Sequence, residues 1–137
     1  MRDIFSLRKA RFIPPSEAVH GALGFLQPGD VMLLVSRGGM TKELIPIQSI
    51  CRQKHVTVIA VTEQTDSILA KDADMVLKTY ITKETDRFNV QGTTSFTVQN
   101  VLFDALQAAL IGKTGFDNRR YALIHPGGAV GKQLNRD

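Results

Sequence analysis

Apolar residues in this chain fall into short runs separated by polar turns. Val31-Met32-Leu33-Leu34-Val35 contains no polar side chain. A run without alternation predicts a strand covered on both faces, the kind found in parallel sheets. Gln27-Pro28-Gly29-Asp30 just ahead of it has turn chemistry. Val56–Val61 predicts a second such strand and Met75–Leu77 a third. From Lys42 to Lys54 the spacing is helical, with Leu44, Ile47 and Cys51 on one face. Thr41 is its expected N-cap, and Pro46, read as lying in the second turn, allows a bend. Asp66–Lys71 predicts a short helix. Arg11–Ile13 predicts a short strand, stopped by Pro14-Pro15. Strands and helices alternating at this spacing predict a layered α/β domain.

Thr94–Ile111 is the longest predicted element, with eight large apolar residues and one charge, Asp104. A helix apolar nearly all round belongs in a core or a subunit interface. In so small a chain an interface share is expected, and with it a homo-oligomer, dimer or tetramer. Tyr121–Ile124 predicts a last helical turn. His125-Pro126-Gly127-Gly128-Ala129-Val130-Gly131 reads as a glycine-rich tail without regular structure.

Composition narrows the class. The 137 residues, 43% hydrophobic and 22% charged, suit one globular domain over residues 1–137. No apolar run is long enough to span a bilayer, and the Met1 segment carries charges where a secretory signal is apolar. With the single cysteine, Cys51, these features predict a cytoplasmic protein without membrane attachment or internal disulfide. The net charge of +4 is concentrated in Arg2, Arg8, Lys9 and Arg11, opposed there only by Asp3, so the remaining body is nearly neutral. A basic stub this short is no nucleic-acid-binding motif, and no nucleic-acid partner is expected.

Four segments carry candidate chemistry. Ser36-Arg37-Gly38-Gly39-Met40-Thr41 joins a strand to a helix start, where outward N–H groups and the helix dipole suit an anion. Arg37 adds a charge-assisted donor. The GK[ST] ending of a Walker loop is absent, and an ordinary tight turn is the competing reading. Thr93-Thr94-Ser95, after Gly92, place three hydroxyls at the start of the long helix, where capping needs one. His125, before Pro126 and two glycines, is a candidate acid/base group. Glu84, in Lys83-Glu84-Thr85-Asp86, reads by itself as part of a solvated loop. No His, Asp or Glu spacing points to a metal site. Cys51, on the apolar face of its helix, belongs to the core.

In this order the segments resemble the sugar isomerase (SIS) domain, most closely its arabinose-5-phosphate isomerase-like branch. The resemblance rests on Pro15–Gly21, Pro28–Val31, Ser36–Leu44, Leu69–Asp74, Thr93–Ser95 and His125–Gly131, and covers about residues 11–135. It implies a flavodoxin-like three-layer αβα sandwich with a parallel sheet. It also implies a sugar-phosphate ligand at the carboxyl ends of the strands, where open α/β sheets bind ligands. Ser36, Arg37, Gly38, Thr41, Thr93, Thr94 and Ser95 would surround the phosphate. Glu84 would move the proton between C1 and C2, and His125 would assist ring opening from a neighbouring subunit. No cofactor or metal is implied.

Two departures accompany the resemblance. Where the family reads S-x-S-G-E-[ST], this chain has Gly38 and Met40, so one hydroxyl and one carboxylate are missing. The family's first βα unit, with its lysine-bearing turn, has no counterpart ahead of Arg11, which predicts an N-terminally incomplete copy. The expected function is an aldose–ketose isomerase of a phosphorylated sugar acting through a cis-enediol. A non-catalytic sugar-phosphate sensor or regulatory subunit is the alternative.

Overall fold

A computed structural model of the chain describes residues 10–135. They gather into two compact units, one running Phe12–Asn100 and the other made of residues 10–11 and 101–135.

Three parallel strands form the sheet of the first unit: β1 (Val31–Val35), β2 (Thr57–Thr62) and β3 (Met75–Lys78), in that spatial order. Leu33 pairs with Ile59, and Ile59 with Met75. Flanking elements are α1 (Pro15–Ala18), a 3₁₀ turn at Ala22–Phe25, α2 (Ile45–Gln53) and α3 (Ile68–Lys71). The entry to β1 follows from its turn residues. Gly29 takes φ +84, and Asp30 accepts from Gln27 N–H at 2.8 Å through its carboxylate. That fold-back sets Asp30 C=O to receive Thr57 N–H at 2.9 Å, which starts the β1–β2 ladder.

The core lies between β2, α2 and α3. Leu34, Leu44, Ile47, Cys51, Val58, Ala60 and Leu69 are all buried in one cluster. Burial pushes the Cys51 thiol up to about 11, so it stays protonated and packs as a small hydrophobe. Gln48 ties α2 to α3 by donating from Nε2 to Leu69 C=O at 2.8 Å.

Several expectations are corrected. Arg11–Ile13 forms no strand, because no described strand lies on the far side of β1 to supply its ladder bonds. Of the three strands only β2 is shut on both faces; β1 and β3 are edge strands and stay partly exposed. The helix expected from Lys42 begins as a 3₁₀ turn, Lys42–Leu44, and the α-helix proper starts at Ile45. Pro46 therefore falls in the first turn, where its missing N–H has no helical partner to lose. Thr41 occupies the N-cap position, but its side chain makes no cap bond.

Helix α4 (Thr94–Thr114) runs out of the first unit into the second. It is followed by α5 (Asn118–Ile124), capped by the Asp117 side chain on Arg120 N–H at 3.0 Å, and α6 (Gly128–Leu134). The tail read as irregular is thus helical. Its last glycine is the reason: a Cβ on buried Gly131 would lie 2.5 Å from the carbonyl of Pro126, so only glycine lets α6 close onto its own leading turn. Among the described residues, no helix is long and apolar enough to cross a membrane.

Candidate functional site

The carboxyl ends of the parallel strands carry the site residues of the first unit. Ser36 follows β1 directly, and its N–H donates to Val61 C=O at 3.0 Å, which prolongs the ladder by one step. Its Oγ accepts from Gly39 N–H at 3.1 Å and lies 2.7 Å from Thr41 Oγ1. The loop Ser36–Thr41 is therefore closed on itself by its two hydroxyls, which explains why Thr41 does not cap the following turn. Gly39 sits at φ +63, where a Cβ would run into Ser67 and Thr62, while a Cβ on Gly38 would meet open space.

Arg37 was expected to face a phosphate. Its guanidinium instead bridges two carboxylates: Nε donates to Glu63 Oε2 at 3.0 Å and Nη1 to Glu84 Oε1 at 2.9 Å. Its carbonyl accepts from Glu63 N–H and from Thr62 Oγ1, both at 2.9 Å. With both donor edges engaged by carboxylates, Arg37 cross-links the loop after β1 to the end of β2 and to the segment ahead of α4.

Glu84 is not a solvated loop residue: only 1% of it is exposed. Its Oε2 accepts from Thr93 N–H at 3.0 Å, Thr93 Oγ1 at 3.0 Å and Ser95 N–H at 3.1 Å. Burial by itself would raise its pKa, but the bonds from Ser95 and Thr93 outweigh it and bring the group down to about 2. The carboxylate thus occupies the anion-attracting start of α4. With Oε1 on Arg37 and Oε2 on the Thr93 and Ser95 N–H groups, the carboxylate ties the two hydroxyl-bearing segments together. Thr93 is fixed in the same network, its Oγ1 also accepting from Thr85 N–H at 2.9 Å. Thr94, beside it at the first position of α4, is half-buried.

One chain of bonds therefore joins both hydroxyl-bearing segments, from Ser36–Thr41 through Arg37 and Glu84 to Thr93–Ser95. His125 belongs to the second unit. It ends α5, with its ring 5.3 Å from that of Tyr121.

Sequence reasoning missed three residues here. Glu63 was not singled out, although its place two residues past a predicted strand end was a usable signal. Asp86 folds the segment leading to α4 by accepting from Phe88, Val90 and Gln91 N–H groups. Those bonds, led by that from Gln91, hold its carboxyl below the usual range. Asn89, at φ +58, accepts from Glu84 N–H at 2.6 Å. Among the described residues, no group of three or more His, Cys, Asp or Glu is placed to hold a metal ion.

The chain is similar to several known proteins. Arabinose 5-phosphate isomerase KdsD of Escherichia coli K12 is 37% identical over 123 residues, which is 90% of this chain and 38% of that protein. The chain thus spans well under half the length of that relative. A crystal structure of a Listeria monocytogenes protein superposes with a TM-score of 0.84 at 41% identity, over 88% of this chain and 63% of that one. An Escherichia coli CFT073 protein, solved in complex with a sugar phosphate, gives 0.82 at 30%, over 85% of this chain and 62% of that one. Residues 8–109 match the SIS domain. The three-strand parallel sheet with flanking helices matches those two structures, and the chain belongs to the SIS domain family.

Proposed function

We propose that this chain binds a phosphorylated sugar and takes part in its aldose–ketose isomerisation. The observation that carries the reading is the 37% identity to an arabinose 5-phosphate isomerase across 90% of the chain. The reaction removes a proton from the carbon next to the carbonyl, passes through a cis-enediol, and returns a proton to the former carbonyl carbon as one hydroxyl proton changes oxygen. The protein supplies a phosphate anchor, a group that exchanges protons, and a fixed orientation.

In this reading Ser36 and Thr41 hold the phosphate together with Thr94, and the Ser36–Thr41 loop lies at a strand end suited to an anion. Glu84 acts through the loops that it ties together and is a positioning residue. His125 is the proton-transfer group, histidine being the side chain most often used for general acid–base work. The proposed setting is the cytoplasm, and the proposed assembly a dimer or tetramer in which His125 serves a neighbouring copy.

Incubation with a panel of pentose and hexose phosphates in deuterated water tests the reaction. Isomer exchange with deuterium at C2 is expected. Binding without deuterium uptake would leave a sugar-phosphate sensor in its place. By calorimetric titration Ser36→Ala and Thr94→Ala should each weaken sugar-phosphate binding by about 1–3 kcal/mol, the range for a hydrogen bond to a charged group. Full calorimetric affinity in both variants would move the phosphate elsewhere.

The proposed assembly rests on α4. Phe96 and Val101 are each 62% exposed, a high value for large apolar residues on one helix. Sedimentation at tens of micromolar should give a dimer or larger, and Val101→Glu should shift it toward monomer. A wild-type monomer would end this part of the reading.

A further inference from the structure

Two carboxylates meet Arg37, and they differ in what remains open on them. Glu84 accepts four hydrogen bonds, from Arg37, Thr93 (twice) and Ser95. Three of these converge on Oε2 and one on Oε1, so both of its oxygens are engaged. Glu63 accepts one, at Oε2 from Arg37 Nε. Its Oε1 is enclosed and has no hydrogen-bond partner among the described residues. Buried polar atoms are nearly always paired, and each exception asks for a reason. An acceptor held in that condition is costly until a donor reaches it.

The place of Glu63 suggests the donor. It is the first residue past the central strand β2, at the carboxyl end of the sheet. Its backbone N–H is bonded to Arg37 C=O, and Thr62 Oγ1 reaches the same carbonyl. Glu63 is therefore fixed to the Ser36–Thr41 loop by backbone as well as side chain, and its side chain is only 12% exposed. Arg37, at 32%, is the more exposed member of the pair. A phosphate dianion offers no hydrogen to Glu63 and is repelled by its charge. A sugar hydroxyl offers one.

We propose that Glu63 is a specificity-determining residue, whose Oε1 accepts a hydrogen bond from a hydroxyl of the sugar while the adjoining loop holds the phosphate. The inference rests on the sugar-phosphate reading above. Glu63 then separates sugar phosphates from bare phosphate: it attracts the first through the hydroxyl and disfavours the second through its charge.

The test is calorimetric titration of the full chain, wild type and variants, with inorganic phosphate and with the same panel of sugar phosphates. Glu63→Met removes both oxygens at similar side-chain length, and Glu63→Gln keeps the shape without the charge. Sugar-phosphate affinity should fall about tenfold or more in Glu63→Met and by less in Glu63→Gln. Inorganic phosphate should bind as well or more tightly in both, because a negative charge beside the anion is gone. Opposite movements of the two ligands support the inference, and retained phosphate binding certifies the fold. If both affinities fall together, Glu63 is a structural residue and the inference fails. Unchanged sugar-phosphate affinity overturns it equally. A wild-type chain that binds phosphate but no sugar phosphate refutes the functional reading itself, and this inference with it.

Discussion

Glu84→Gln is expected to lower isomer exchange by about 10²-fold at every pH, without moving any inflection of the pH–rate profile. The magnitude is that of a misplacement of the order of 1 Å in the groups that orient a substrate. Glutamine has the same shape, yet it cannot satisfy its neighbours. One end of the carboxylate meets Arg37 Nη1 and the other meets Thr93 N–H, Thr93 Oγ1 and Ser95 N–H. Every one of these is a donor, so whichever way the amide is turned its own NH₂ faces another donor. Both hydroxyl-bearing segments then lose their common anchor. A base with a working pKa near neutrality would behave otherwise: its removal would abolish one limb of the profile, and that result would return Glu84 to the role of base.

Stability carries the same signature at low pH. The folded-state pKa of Glu84, about 2, lies below its ordinary 4.5. A depressed carboxyl contributes stability that is fully present above the unfolded value and is lost as pH falls through the folded one. The wild-type melting temperature should therefore decline between pH about 4.5 and about 2 more steeply than that of Glu84→Gln, which has no proton to take up there. Parallel curves for the two proteins would contradict the buried anion.

Gly39→Ala is expected to destabilise the first unit by about 3 kcal/mol, whereas Gly38→Ala, its chain neighbour, should change stability by no more than about 0.5 kcal/mol. Gly39 lies at φ +63, where a Cβ is strained by itself. That Cβ would also stand 2.5 Å from Ser67 Cβ, collide with Ser67 Oγ and come within 3.1 Å of Thr62 Oγ1. None of the three can easily retreat. Ser67 caps α3 through Ala70 N–H, and Thr62 holds the Arg37 carbonyl. Gly39 itself is bonded on both sides, N–H to Ser36 and C=O to Leu69 N–H. Displacement of the loop should lower phosphate affinity along with stability. Denaturant melts of the two alanine variants check this, and equal midpoints would mean that the loop yields without strain.

Local pattern was enough for the strand–helix alternation, because each signal is a property of a few consecutive residues. Unbroken apolar runs mark β1 and β2, and Pro28-Gly29 marks the turn between α1 and β1. Helix bounds were less legible: Pro46 allows an α-helix to begin at Ile45 or earlier, and only the 3₁₀ turn at Lys42–Leu44 decides between them. The helical tail was misread because glycine is penalised in helices by default. Contact between Gly131 and Pro126 reverses that preference, and it exists only once the turn has closed.

What the sequence determined by itself was the parallel α/β class and the two hydroxyl-bearing segments that carry the family resemblance, Ser36–Thr41 and Thr93–Ser95. These depend on residue type and order along the chain. Partnership was decided by the tertiary structure alone. Lys83-Glu84-Thr85-Asp86 and Thr62-Glu63-Gln64 look equally polar on paper, yet Glu84 is held by four donors while Glu63 keeps an oxygen open. Arg37 reads as a free cation and is in fact shared between them. A charged side chain's role depends on which opposite charges and N–H groups lie within about 3 Å of it. In a parallel sheet those neighbours come from loops separated by 26 and 47 residues of chain, a distance that no local pattern spans.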